Sequence, residues 1–201
     1  AIARNLQLLL DPRGDRRGTA NQWQGMAAFQ GQTTADDDPR LTFICEHFWQ
    51  NIEDIQRAVL KSGAWFIPCT VAVNLRDCPP FVSLHKKGLS DEKTIQFKRL
   101  FQNGMDMFHD QRWPDAVTNF TECLRIDDRF ADAHYFLAKS LEAEGKRKQE
   151  ILEHFVKARD LDALRYRADT RLNDVIRSTF SKSPADRCRL LDVEREMNLA
   201  A

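Results

Sequence analysis

The chain has 201 residues, of which 42% are hydrophobic, and thirty basic residues balance thirty acidic ones to a net charge of zero. A chain of this length suits one domain or two small ones with a true core, because it can bury about two-thirds of its unfolded surface. Balanced charge leaves no field to attract nucleic acid, and no apolar run approaches the roughly 18 residues that a membrane span needs. The basic runs Arg13 to Arg17 and His85 to Lys87 are short enough to be solvated faces. Five cysteines, an odd number with no C-x-x-C pair, point to free thiols rather than a disulfide scaffold or zinc site. No cofactor or metal is expected. The segment "LQLLL" is too short for a signal-peptide core, so the chain reads as soluble as given, and its compartment stays open. A start at Ala1 and an end at "NLAA" suit a processed or truncated product.

The first ten residues read as a helix end, and "DPRGDRRGTANQ" after them as a charged loop in which Arg13-Gly14-Asp15 is a chance tripeptide. Trp23, Met26 and Phe29 then follow at helical spacing. Asp38 and Pro39 form a helix start, and Leu41, Ile44, Phe48, Ile52, Ile55 and Val59 continue it as a long amphipathic helix stopped at Gly63. Next, "AWFIPCTVAV" is apolar at both alternating sets of positions, the pattern of a strand covered on both faces. Pro68 removes one ladder hydrogen bond and places it early, at an edge or at a bulge.

From Ser90, whose hydroxyl and following acids make a good helix start, to about residue 160 the pattern is wholly helical. Leu100, Gly104, Ala116 and Phe120 stand at the spacing of a tetratricopeptide repeat, with Pro114 opening the second helix. A second, irregular copy runs from Ala131, with Leu137 and Ala138 in the places of Asn103 and Gly104, a turn at Gly145, and Phe155 and Ala158 one residue late. Two copies are fewer than an isolated array needs, so they should lean on other parts of the chain. "RADTRLNDVIRSTF" is a further amphipathic helix, and "CRLLDV" reads as a short buried strand ending at Asp192.

The segments "QWQGM", "DDPRL", "TVAVNLRDCPPF", "LHKKGLS", "IDDRFADAHYFLA" and "HFVKARDLDALRYRADTRLNDVIR" together resemble the bacterial SGNH (GDSL-like) hydrolases that carry a tetratricopeptide insertion. The resemblance covers most of residues 21 to 196. It implies an α/β fold: a partial parallel sheet with flanking helices, built from residues 1–89 and 166–201 and interrupted by an all-α helical insertion at 90–165. It implies ester or acyl hydrolysis as well. Yet the family's Gly-Asp-Ser-like block, its terminal Asp-x-x-His-like pair and its oxyanion blocks are missing, and no G-x-S-x-G elbow exists. His47, His109, His134 and His154 lie on expected helices, and His85 in a loop. The chain therefore looks like the middle of such an enzyme, with no catalytic residue of its own.

Candidate site residues fall in two groups. Asn74, Arg76, Asp77 and His85 follow the first expected strand, where open α/β sheets bind ligands, so they form either a pocket rim or a structural joint. In the joint reading Asn74 and Asp77 cap the turn, Arg76 pairs with Asp77 or a neighbour and His85 is solvated. Arg99, Asn103, Asp106, Asp132 and Lys139 could anchor a peptide or protein partner on the repeats. Two functions follow: a hydrolase portion whose serine and histidine lie outside this chain, or a repeat module for protein–protein interaction.

Overall fold

The computed structural model describes residues 32–146, 148–181 and 186–200, and seven helices lie among them. The expected helix end at 1–10, the loop with Arg13-Gly14-Asp15 and the turn with Trp23, Met26 and Phe29 lie outside the described residues. From Gln32 onward the chain clusters into one compact unit.

Helix α1 spans Arg40–Lys61. Its start follows from Asp38, whose carboxylate accepts the Arg40 N–H at 2.9 Å, and its end from Gly63, at φ 83°. Leu41 is buried, and Cys45, Phe48, Ile52 and Val59 are half-buried, on a face turned to α6, Thr170–Phe180. Ile44 and Ile55, counted in the same stripe, are more than half exposed.

Four helices follow: α2 at Asp91–His109, α3 at Trp113–Ile126, α4 at Ala131–Ala143 and α5 at Lys148–Leu161. Ser90 accepts the Lys93 N–H at 3.3 Å to cap α2, Pro114 stands in the first turn of α3, and Gly145 supplies φ 69° between α4 and α5. Short turns fold them into two helical hairpins, α2 with α3 and α4 with α5, and α3 packs on α4 between them. At the crossing of the first hairpin, a Cβ on Gly104 would come within 2.8 Å of the Phe120 ring. Phe120 is fully buried between Phe101 and Phe136, at ring distances of 5.7 and 5.9 Å. A second cluster joins Tyr135, Ala138, Phe155 and Ala158 of the other hairpin to Leu75, which arrives from the preceding loop. Beyond α6, the last helix α7 occupies Val193–Ala200.

The expected parallel sheet does not form: among the described residues there is no sheet, and the fold is helical rather than α/β. The two expected strands do run side by side, yet they meet only at two isolated parallel bridges, Phe66 with Cys188 and Cys69 with Leu191. Three causes keep them short. Pro68 has no N–H to give. Both backbone groups of Val71 are taken by the side chain of Asn173, and at Val193 the other stretch has already turned into α7. Cover is also one-sided. Phe66 packs on Phe180 of α6 at 5.3 Å, whereas Trp65, Ile67, Val71 and Leu191 are 63%, 58%, 47% and 49% exposed. The two-sided apolar pattern is that of a doubly covered strand, yet only one of its faces is packed.

Candidate functional site

Two features stand where the 66–71 stretch ends: a polar joint that fixes its last residues, and an extended strap that carries the chain on to the helical hairpins.

In the joint, Asn173 on α6 is fully buried and treats Val71 as a neighbouring strand would. Its Oδ1 accepts the Val71 N–H at 2.8 Å, and its Nδ2 donates to the Val71 carbonyl at 3.0 Å. The Thr70 hydroxyl donates to Asp192 at 2.8 Å and accepts the Glu194 N–H at 2.9 Å. Arg177 holds both carboxylates, reaching Asp192 through two nitrogens at 2.8 and 3.0 Å and Glu194 at 2.6 Å. On the far side Arg159, 1% exposed at its side chain, bonds Glu194 and also donates to Thr170 at 2.7 Å and Asp160 at 2.9 Å. The Arg177 guanidinium brings the Asp192 carboxyl down to about 2 and is itself raised by that contact. Burial pushes Glu194 upward, but Arg159 and Arg177 together outweigh it and leave its carboxyl lowered. Such a cluster of paired charges fixes geometry; it offers no free base.

The strap, residues 73–87, lies along α4 and against the 162–167 turn. Leu75 is 8% exposed within the Tyr135, Phe155 and Ala158 cluster. Arg76 pairs with Glu142 at 2.8 Å, and its carbonyl accepts the Tyr135 hydroxyl at 2.9 Å. The Asp162 carboxylate takes the N–H groups of Phe81 and Val82 at 3.0 and 3.1 Å. Arg167 bonds the Cys78 carbonyl at 2.6 Å and Asp162 at 3.1 Å, and the Ala163 N–H reaches Val82. Ser83 accepts the Asp132 N–H at 2.8 Å.

These contacts place the candidate residues. Asn74 accepts the Asp77 N–H at 2.8 Å, which is a turn cap, and both side chains are exposed. Arg76 pairs with Glu142 on α4. His85 is half-buried rather than solvated. Its Nδ1 lies 2.8 Å from the carboxylate of the wholly buried Asp127, and its ring packs 4.9 Å from Phe97 and 4.7 Å from Phe130. That partner lies 42 residues away, beyond the reach of local pattern. Of the repeat-surface group, Arg99, Asn103 and Asp106 are exposed on α2, where Asp106 accepts a bond from Gln102 at 2.9 Å. Asp132 and Lys139 are half-buried on α4: burial raises the Asp132 carboxyl, and Lys139 reaches Glu142 at 3.4 Å. The five do not make one free patch.

Asn173, Asp162, Arg167 and the pair His134 with His154 escaped the sequence reading. For Asn173 and the two histidines the signal that could have found them is a polar residue on an otherwise apolar helix face, as with Asn173 beside Ile176; Asp162 and Arg167 lie in a turn and carry no such signal. Nothing among the described residues joins a serine to a histidine: Ser83 accepts from Asp132, Ser90 caps α2, and His85 turns to Asp127. Burial pushes the Cys123 thiol up to about 12, so it is inert. A cleft of about 580 Å³ beside Asp36, Asp38, Cys45 and Arg171 holds no group of three His, Cys, Asp or Glu side chains placed for a metal. No helix among the described residues is long and apolar enough to cross a membrane. Compared with known protein families, curated proteins and solved structures, the chain matches none of them.

Proposed function

We propose that the chain is the repeat-bearing central portion of an SGNH (GDSL-like) ester or acyl hydrolase, whose serine and histidine are contributed from outside it. The supporting observation is convergence. Parts of two segments that carry the resemblance, "TVAVNLRD" and "RYRADTRLNDVIR", meet the strand-like "RLLDV" at Thr70 and Val71, although the contacts join residues 102 to 124 positions apart. In this reading the two hairpins are tetratricopeptide-like repeats that brace the loop leaving Val71.

The interaction-module reading has less support. Repeat arrays take peptides on the surface offered by the first helix of each pair. Here that surface is lined by the chain's own strap, through Tyr135, Asp132 and Glu142 of α4 and, by way of His85, Phe97 of α2.

The test is labelling of the full-length protein with a fluorophosphonate probe, followed by mapping of the modified residue. A labelled serine outside these 201 residues supports the proposal. Failure of any serine to react would overturn it in favour of the interaction module.

A further inference from the structure

Between α4 and α5, His134 and His154 face each other with their Nδ1 atoms 2.9 Å apart and their ring centroids 5.2 Å apart. His134 is 3% exposed, and its Nε2 lies 3.0 Å from the Asp128 carbonyl oxygen. A carbonyl only accepts, so Nε2 of His134 carries the proton. Its Nδ1 is then bare while the ring is neutral, and the bond between the rings must be donated by Nδ1–H of His154. Geometry therefore sets both tautomers.

This contact connects to the strap. His134 holds the carbonyl of Asp128; the residue before it, Asp127, gathers His85, the Lys86 N–H at 3.2 Å and the Arg129 N–H at 3.1 Å on one buried carboxylate. The turn that seats the end of the strap is thus tied to α4, and α4 is tied to α5 by the histidine pair.

We infer that His134 and His154 form an acid-sensitive latch, which holds the 127–130 turn and the 83–87 end of the strap while His134 Nδ1 is bare and releases them when that atom is protonated. A first added proton goes to Nε2 of His154, which leaves the ring-to-ring bond intact. A second must go to the accepting Nδ1 of His134, where it breaks the bond between the rings and sets two cations against each other; the Nε2–H bond to Asp128 outlasts the protonation itself, so the turn is freed as that repulsion shifts the His134 ring from its seat.

The surrounding charges are Lys157 and Glu153 on α5 and Asp128 in the turn. Lys157 opposes protonation of both rings, Glu153 favours it at His154, and Asp128 favours it at His134. Burial, reinforced by Lys157, outweighs the pull of Asp128 and Glu153 and brings His134 down to about 4, with His154 also lowered. A histidine lowered on folding stabilises the fold in its neutral form. The latch is therefore fully effective above the ordinary value of 6.5 and weakens as pH falls from there towards about 4. Asp38 and Asp192, both held near 2, stay ionised across that window.

Hydrogen exchange of the full chain, corrected for the intrinsic pH dependence of amide exchange, tests the latch at residues 83–87 and 127–130. Lowering the pH from 7.5 to 5 should raise the opening constant there on the order of ten- to thirtyfold, and His134→Gln should reduce that response to within about twofold. Should the variant fail to fold, nitrogen NMR of the wild-type imidazoles decides, since His134 must be the Nε2–H tautomer and stay neutral well below 6.5. Strap protection unchanged between the two pH values, an acid response that persists in His134→Gln, or an Nδ1–H tautomer at His134 would each overturn the latch.

Discussion

Replacing Gly104 tests the first hairpin most sharply, because the gain and the cost act in opposite directions. Alanine in a helix interior is favoured over glycine by about 1 kcal/mol, so an unobstructed site would be stabilised by that amount. The site is obstructed. The new methyl would stand 2.8, 3.0 and 3.1 Å from three atoms of the Phe120 ring, and that ring is fully buried between Phe101 and Phe136. Overpacking of this kind costs about 1–3 kcal/mol, so Gly104→Ala should range from neutral to about 2 kcal/mol less stable. Gly104→Leu carries three more carbons into the same ring and should lose at least about 2 kcal/mol, a fall in Tm of roughly 4–8 °C for a chain of this size. Urea unfolding followed by circular dichroism reads both, and the cycle with Phe120→Ala separates the clash from the helix preference. In that background the alanine methyl fills the vacated space, so the two substitutions should couple favourably by about 1–2 kcal/mol. A Gly104→Ala protein stabilised by the full helix preference, or a Gly104→Leu protein with unchanged Tm, would refute the close crossing.

Asn173→Ala should cost about 2–4 kcal/mol, because it strips both backbone groups of Val71 of their partners; a loss under about 0.5 kcal/mol in urea unfolding would show water taking its place. Asp192 stabilises the fold above its ordinary value of 3.8, and that contribution is lost as pH falls towards about 2, so Asp192→Asn should lack this acid limb when urea midpoints are compared across pH. Leu75→Ala should cost about 2–4 kcal/mol, whereas Arg76→Ala, at an ion pair 63% exposed on the arginine side, should cost less than about 1 kcal/mol; the reverse order would mean that the strap is held by charge rather than burial. The purified chain should give no turnover of short-chain nitrophenyl esters above background, and turnover that vanished in His85→Ala would expose a site of its own.

What local pattern specifies, the sequence displayed. The Ser90 cap, Pro114 in the first turn of α3, the turn at Gly145 and the approach of Gly104 to Phe120 all depend on residues within one hairpin, and all were legible. The missing sheet was not, because alternation of apolar residues reports which side chains could be buried and says nothing of whether a third stretch arrives to pair. Asn173 made the difference by occupying the backbone of Val71 from a distance of 102 residues. The same limit governs the site. The Asn74 turn is a three-residue matter and could be foreseen, while the partners of His85, Arg159 and His134 lie 42, 35 and 20 residues away.

The strap bears on how this chain reaches its fold in time. Helical repeats normally assemble from contacts between near neighbours, which makes them fast and allows one unit to form ahead of another. Here the amides of Val71, Phe81 and Val82 and the side chain of Thr70 must wait for residues 80 to 124 positions later before they find their partners. On a ribosome the strap emerges well before α5 and α6, so its apolar residues stay unsheltered until those helices follow. Closing loops of that length in one concerted step slows folding and joins the hairpins to the joint as a single cooperative unit. Unfolding should then follow one transition rather than fray from one end, a behaviour opposite to that of an open repeat array.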